Sequence, residues 1–114
     1  SCCQLVLDSF SQLGKSEILQ KKLASLKIVW LCGEVVTIEL CTRFTQLLPE
    51  CELLNLYSIS ECHDVSVGDL RKVNIKQSPK FAPCGRVMEN VELFVFDEEM
   101  KIVPVGMAGE VYVG

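Results

Sequence analysis

The stretch Leu53-Leu54-Asn55-Leu56-Tyr57-Ser58-Ile59-Ser60-Glu61-Cys62-His63-Asp64 decides how this chain folds. Its first residues form an apolar run of the kind that makes a buried strand, and the residues that follow are mostly polar. A strand of this kind delivers its polar groups to one edge of a sheet. In open α/β sheets, ligands bind just beyond the carboxyl ends of the strands. The stretch therefore predicts a buried strand that ends in a ligand-binding corner.

The residues before this stretch predict a strand–helix–strand unit. Residues 27–31 form a near-continuous apolar run, Thr37 is suited to cap a helix, and Pro49 ends that helix. Residues 51–56 form the second strand. A helix that connects two such strands predicts parallel pairing with a right-handed crossover. An earlier helix is expected over residues 16–26.

The residues after Asp64 carry a looser pattern. A short helix is expected over residues 69–72. Residues 91–97 alternate between apolar and polar with period two, and short strands at 101–105 and 110–113 follow turns, which predicts hairpins.

These elements predict an α/β fold in two parts. Residues 1–78 form the βαβ, parallel-sheet part, and residues 79–114 form the start of a small antiparallel, β-barrel-like module. The boundary follows from the change to period-two alternation after a loop that contains Ser78-Pro79.

The composition excludes several classes of protein. The chain of 114 residues is 49% hydrophobic and 23% charged, as in an ordinary globular protein. Its net charge of -4 argues against nucleic acid as a partner, because binding to phosphates needs a basic surface. No apolar run reaches the roughly 18 residues of a membrane span, and no signal peptide is present at the start. We therefore expect neither nucleic-acid nor membrane binding.

The cysteines predict a reducing, cytoplasmic location. There are seven, an odd number, and Cys32, Cys41 and Cys51 lie in apolar segments where a free thiol behaves as a small hydrophobic group. A zinc site is not expected, since there is no Cys-x-x-Cys pair and His63 is the only histidine.

Four short segments follow one another along the chain: Cys32-Gly33-Glu34, Asn55 to Glu61, Gly85-Arg86-Val87 and Pro104 to Gly114. Together they resemble motifs of the adenylate-forming enzymes, and among these the amino-acid adenylation domains of nonribosomal peptide synthetases. The family carries a Gly-Gly-Glu turn, Asn-x-Tyr-Gly-Pro-Thr-Glu, Gly-Arg-Pro and Pro-Val-Gly-x-x-Gly-Glu-Leu-Tyr in the same order. The resemblance runs from about residue 26 to residue 114.

The chain departs from these motifs at a few positions. Cys32 replaces the first glycine of the turn, and Val87 replaces the proline of Gly-Arg-Pro. Ser58, Ile59 and Ser60 replace Gly, Pro and Thr. The family's phosphate loop is expected upstream of residue 1, and its ribose-binding Asp and catalytic Lys downstream of residue 114. We therefore expect a central fragment of an adenylation domain that is inactive alone.

The resemblance implies a reaction, its cofactors and its partners. Such an enzyme uses ATP and Mg²⁺ to convert a carboxylic acid to an acyl-AMP, and then transfers the acyl group to the phosphopantetheine thiol of a carrier-protein domain. The implied partners are a small carboxylate or amino acid, the carrier domain and the rest of the adenylation domain.

The resemblance also implies roles for individual residues. Glu61 holds Mg²⁺ and Ser60 hydrogen-bonds the α-phosphate, so these two are the candidate catalytic residues. Tyr57 packs against adenine, Ser58 lies beside the nucleotide, and the turn at Gly33-Glu34 lines the adenine and acyl corner.

The acyl pocket is expected to be built by residues beside the same motifs, namely Trp30, Cys32, Leu56, Asp64 and Val65. A carboxylate such as Asp64 that faces the acyl group favours a substrate with an amine. An amino-acid substrate is therefore our hypothesis.

Each role has a structural alternative. Tyr57 and Trp30 could be core aromatic residues, Glu61 a solvated or helix-capping carboxylate, and Asp64 a helix cap. Arg86 could form an ion pair with Glu89 or meet a ligand. A catalytic triad of Cys62, His63 and Asp64 is disfavoured, because successive residues point in different directions and a triad needs convergent side chains.

The function itself has two alternatives. The same fold could belong to an acyl-CoA ligase. It could also be a non-catalytic interaction module in which the changes at Cys32 and Ser58 have ended nucleotide binding.

Overall fold

The computed structural model describes residues 8, 16–73 and 80–114. Residues 16–73 and 80–114 form two α-helices, a four-stranded mixed sheet and a two-stranded antiparallel sheet. The helices are α1 (Ser16–Lys22) and α2 (Ile38–Leu47), with a 3₁₀ turn at Leu70–Lys72. The strands are β1 (Ile28–Cys32), β2 (Glu52–Ile59), β3 (His63–Asp69), β4 (Arg86–Val87), β5 (Leu93–Phe96) and β6 (Glu110–Val113). The first sheet has the order β1-β2-β3-β4, and β5 pairs with β6 in the second. The predicted fold class is confirmed.

The predicted βαβ unit is formed by β1, α2 and β2. The two strands are parallel and in register from Ile28 opposite Glu52 to Cys32 opposite Leu56. Thr37 caps α2, since its hydroxyl accepts a hydrogen bond from the Leu40 N–H at 3.2 Å. The two strands therefore end at the same edge of the sheet.

The main core lies between α2 and the face of the sheet that carries Leu53. Leu53 has no exposed surface, and Phe44 of α2 is 3% exposed. The other buried members of this core are Val36, Leu40, Cys41, Leu48, Cys51 and Leu70. Burial of these side chains provides the main favourable free energy that holds α2 on the sheet.

Strand β3 is the main feature of the fold that the sequence pattern did not predict. The polar residues after Ile59 form a tight turn, and the chain returns as β3, antiparallel to β2. His63, the first residue of β3, has φ 60°, and the register shifts between Tyr57 and Ser58. The short helix expected over residues 69–72 is present as the 3₁₀ turn, capped by Asp69.

The C-terminal residues form the expected small antiparallel sheet with one difference. Strands β5 and β6 pair from Leu93 opposite Val113 to Phe96 opposite Glu110. The strand predicted at 101–105 is reduced to a single bridge between Phe96 and Ile102. The ring of Tyr112 packs edge-on against that of Phe96 at 5.1 Å.

The predicted boundary between residues 78 and 79 lies outside the described residues and stays a prediction. Residues 80–87 connect to the first sheet, since Phe81 bridges to Thr37 and β4 pairs with β3. No helix among residues 16–73 and 80–114 is long and apolar enough to cross a membrane.

The charge on Asp69 makes the stability of the fold depend on pH. Burial favours the neutral carboxyl, but hydrogen bonds from Lys72 and Arg71 outweigh this effect and hold the pKa of Asp69 below its ordinary value of 3.8. The folded-state pKa is depressed, so the stabilisation is present above the unfolded-state pKa and is lost as the pH falls through the folded-state pKa.

Asp69→Asn should therefore lower the free energy of unfolding by about 0.5 kcal/mol at pH 7, because the amide keeps the cap but loses the ion pairs with Lys72 and Arg71. At pH 2.5 this difference should be much smaller. Urea unfolding of both proteins at the two pH values measures it, with the exposed Glu89→Gln as control. An equal difference at both pH values would contradict the assignment.

Burial also predicts which thiols react. Among the described residues, Cys32, Cys62 and Cys84 are exposed, whereas Cys41 and Cys51 are buried. Burial raises the pKa of the Cys51 thiol more than the positive charge of Arg71 lowers it, so less of it is present as the reactive thiolate.

Alkylation of the native protein with iodoacetamide at pH 8 should modify the three exposed thiols at least about tenfold faster than the two buried ones. Peptide mapping by mass spectrometry measures each rate, and the urea-unfolded protein provides the reference. Fast modification of Cys51 in the folded protein would show that the core around it is open.

Candidate functional site

A cavity of about 310 Å³ lies where β1 and β2 end. Its lining residues are Gly33, Glu34, Val35, Val36, Asn55, Leu56, Tyr57, Ser58, Ala82 and Cys84. Parallel strands end at the same edge of a sheet, so the residues that follow β1 and those at the end of β2 meet here. Gly33 has φ +78°, a conformation that suits glycine in a tight turn.

Five of the residues predicted for the site line this cavity together. They are Gly33, Glu34, Leu56, Tyr57 and Ser58. They come from two segments that are far apart in the sequence and are brought together by the parallel pairing of β1 with β2. Tyr57 is half-buried in the cavity wall, and its ring is not part of the buried core.

Cys32 is connected to the cavity through Ser58. The thiol of Cys32 and the hydroxyl of Ser58 lie 3.0 Å apart and form a hydrogen bond across the ends of the two strands. Cys32 itself is exposed. The two positions at which this chain has side chains in place of the motif's glycines are therefore paired with each other.

The predicted phosphate and metal residues lie at the exposed turn between β2 and β3. Ser60, Glu61 and Asp64 are all exposed and do not line the cavity. Asp64 belongs to β3, opposite Ser58, and caps no helix. No group of three or more His, Cys, Asp or Glu within residues 16–73 and 80–114 could hold a metal ion by itself.

Two predicted acyl-pocket residues have contrasting environments. Trp30 is 53% exposed on β1, so its ring is available and is not a core residue of this chain. Val65 is 0% exposed, so its side chain offers no surface to a ligand. Arg86 is exposed, and no ion pair to Glu89 is formed in the described part of the chain.

The sequence did not identify half of the cavity lining. Val35 and Val36 follow the predicted turn directly, and Asn55 is a polar residue inside an apolar run, which is a signal that could have been used. Ala82 and Cys84 carry no such signal. They belong to residues 80–84, which we call the strap.

Four hydrogen bonds hold the strap, two from the segment that leads into α2 and two from side chains of the sheet. The N–H of Ile38 donates to the carbonyl of Lys80 at 3.1 Å, and the N–H of Ala82 donates to the carbonyl of Val36 at 2.8 Å. Two side chains bind the other end. Asn55 Nδ2 donates to the Pro83 carbonyl at 3.1 Å, and Ser66 Oγ donates to the Cys84 carbonyl at 2.9 Å.

The arrangement is suited to a planar, partly apolar ligand. The lining combines aliphatic side chains, a phenol ring, a hydroxyl and a carboxylate, with a glycine turn at one side. Ligand pockets have this mixture of an apolar surface and a few polar groups, and about 300 Å³ is the lower end of their usual volume.

Comparison with known proteins gives a match over almost the whole chain. The sequence model of the family described as AMP-binding enzyme matches residues 3–114. Glycine betaine reductase ATRR of Emericella nidulans is 31% identical over 102 residues, which is 90% of this chain and 8% of that protein. The β-alanyl-bioamine nonribosomal peptide synthetase of Schistosoma mansoni is 35% identical over 83 residues, 69% of this chain and 7% of that protein.

The fold is also found in solved structures. The adenylation domain AlmE of Vibrio cholerae, in complex with glycyl-adenosine-5'-phosphate, superposes with a TM-score of 0.62 at 22% sequence identity. The match covers 76% of this chain and 17% of that one. This chain spans less than a tenth of the length of either relative named above. The match to the family over residues 3–114 shows that the chain belongs to the AMP-binding, adenylate-forming enzymes.

Proposed function

We propose that the chain is part of an adenylation domain that activates an amino acid as its acyl-AMP and passes the acyl group to a carrier-protein thiol. The observation that carries the proposal is the cavity at the ends of β1 and β2, which is lined by Gly33-Glu34 and by Tyr57-Ser58. These residues belong to two of the four segments that resemble motifs of the family, Cys32-Gly33-Glu34 and Asn55 to Glu61.

The cavity fits the adenosine part of the nucleotide better than the whole of ATP. Its volume of about 310 Å³ and its mixed lining suit a base and sugar. The exposed face of the Tyr57 ring provides a surface on which a purine can stack. The Gly33 turn, which has no side chain, allows the backbone to approach the ligand closely. The phosphates then extend towards the turn that carries Ser60.

The residues at this turn fit one Mg²⁺ that is shared with the phosphates. Mg²⁺ in nucleotide sites takes one or two carboxylates together with phosphate oxygens and water, so the single carboxylate of Glu61 is a sufficient protein ligand. When bound, the ion neutralises charge on the phosphates. Glu61 holds it from the turn, and the Ser60 hydroxyl donates a hydrogen bond to an α-phosphate oxygen.

The acyl substrate would lie on the side of the exposed Trp30, with Cys32 and Leu56 at the junction to the nucleotide cavity. Asp64 is exposed, lies opposite Ser58 and can pair with a substrate amine. The names of the proteins compared above contain glycine betaine, β-alanyl and glycyl units, which supports a small amino acid or its derivative.

In the proposed reaction, a carboxylate oxygen of the amino acid attacks the α-phosphorus of ATP, and pyrophosphate leaves. The thiolate of a carrier-bound phosphopantetheine then attacks the acyl carbon, and AMP leaves. The first step depends on holding the attacking and leaving oxygens in line at phosphorus, and both steps depend on positioning the reactants, which is the contribution proposed for the residues described above. The odd number of cysteines supports a reducing, cytoplasmic location for this chemistry.

ATP–pyrophosphate exchange by the full-length protein tests the proposal. We expect exchange with one small amino acid from a panel that includes glycine, glycine betaine and β-alanine. Glu61→Gln should reduce it at least about 100-fold, because the charge that holds the metal is removed. Glu50→Gln, which changes an exposed carboxylate at the other end of β2, should leave exchange unchanged.

Three other outcomes would contradict parts of the proposal. Exchange with a simple carboxylic acid, followed by transfer to free CoA, would indicate an acyl-CoA ligase. No exchange with any acid, from protein shown to be folded, would indicate a non-catalytic interaction module. Normal exchange in Glu61→Gln would exclude Glu61 as the metal ligand.

A further inference from the structure

Two polar side chains, Asn55 and Ser66, are buried among the described residues, at 6% and 3% exposure. Both donate to the strap, and their acceptors are the consecutive carbonyls of Pro83 and Cys84. A buried polar group without a partner is costly, so these two groups strongly favour the position in which the strap lies over them. The buried amide of Asn55 and the buried hydroxyl of Ser66 therefore both hold the strap in place.

Two glycines allow the strap to lie this close to the sheet. A Cβ at Gly68 of β3 would be 3.0 Å from the Cα of Gly85, so the residue that follows the strap passes over a position without a side chain. A Cβ at Gly85 would be 2.1 Å from the carbonyl oxygen of Val67, and Gly85 has φ +95°. The close approach of the two backbones therefore depends on glycine at both positions.

The residues that hold the strap lie on one face of the sheet, beside the cavity. Asn55 is opposite Gly68 in the β2–β3 pairing, and Tyr57 is opposite Ser66. Ser66 is not part of the cavity lining, whereas the strap residues Ala82 and Cys84 are. The hydrogen bond from Ser66 to the Cys84 carbonyl therefore connects this buried side chain to a segment of the cavity wall.

We propose that Ser66 is a positioning residue for nucleotide binding: its hydroxyl fixes the Cys84 carbonyl and thereby sets the strap as a wall of the nucleotide cavity. This inference rests on the proposed function, because the ligand of the cavity is taken to be a nucleotide. It assigns a role to a residue outside the motifs that suggested the family.

The test uses the full-length protein with Ser66→Ala and a matched control. Thr45→Val removes another hydroxyl that donates to a carbonyl at 2.9 Å, that of Cys41 within α2, and Thr45 does not line the cavity. Two quantities are measured: the dissociation constant of ATP by calorimetry, and hydrogen–deuterium exchange at the amide of Ala82, which donates to Val36.

In Ser66→Ala we expect the dissociation constant to rise about 3- to 10-fold, as for the loss of one hydrogen bond, and the Ala82 amide to exchange faster. Thr45→Val should change neither quantity, although both variants lower the urea midpoint. Ser66→Cys keeps a weak donor of similar size and should lie between the wild type and Ser66→Ala. It also serves as the test if Ser66→Ala does not fold.

The inference is overturned if Ser66→Ala and Thr45→Val bind ATP equally well. It is also overturned if Ala82 exchange rises while ATP affinity is unchanged, since the strap would then move without affecting the ligand. If the wild-type protein does not bind ATP, the proposed function and the nucleotide role of Ser66 both fail. The Ala82 exchange rates then still decide whether Ser66 holds the strap.

Discussion

The parallel hydrogen bonding between β1 and β2 is the constraint on which the candidate site depends. Its register places Cys32 opposite Leu56, so the residues that follow each strand meet at one edge of the sheet. A shift by one residue would exchange the two faces of β2 and move the fully buried Leu53 out of the core. The core under α2 therefore fixes the register, and the register in turn fixes the relation between Gly33 and Tyr57.

The strap adds a second constraint that acts through polar groups. Each of its hydrogen bonds contributes only about 1 kcal/mol net, but leaving a buried donor unpaired costs about 1–3 kcal/mol. Asn55 and Ser66 therefore act less by attracting the strap than by penalising every arrangement in which it lies elsewhere. Hydrophobic burial holds the βαβ unit together, whereas the hydrogen bonds of buried polar side chains determine where the strap lies as a wall of the cavity.

The sequence predicted the elements whose signals are local and failed where partners are distant. The apolar run of β1, the Thr37 cap and Pro49 are read within a few residues, and the βαβ unit follows from them. Strand β3 was not predicted, because His63 and Asp64 at its start and Gly68 near its end interrupt the apolar alternation. The strap was missed for a different reason: the bond from Asn55 to Pro83 joins residues 28 positions apart, and no local pattern at Ala82 or Cys84 indicates it.

The candidate site separates into a sheltered part and an exposed part, and the difference determines what each can do. Tyr57 and Ser58 line a cavity, so a ligand that contacts them there displaces water. Glu61 is exposed on the turn and Asp64 is exposed at the start of β3, and in water two unit charges 4 Å apart interact by only about 1 kcal/mol. Electrostatic interactions are much stronger in a water-excluded site than in water. The cavity residues can therefore contribute contacts to a ligand as they stand, whereas the carboxylates of Glu61 and Asp64 act strongly on a charged group only where solvent is excluded from them.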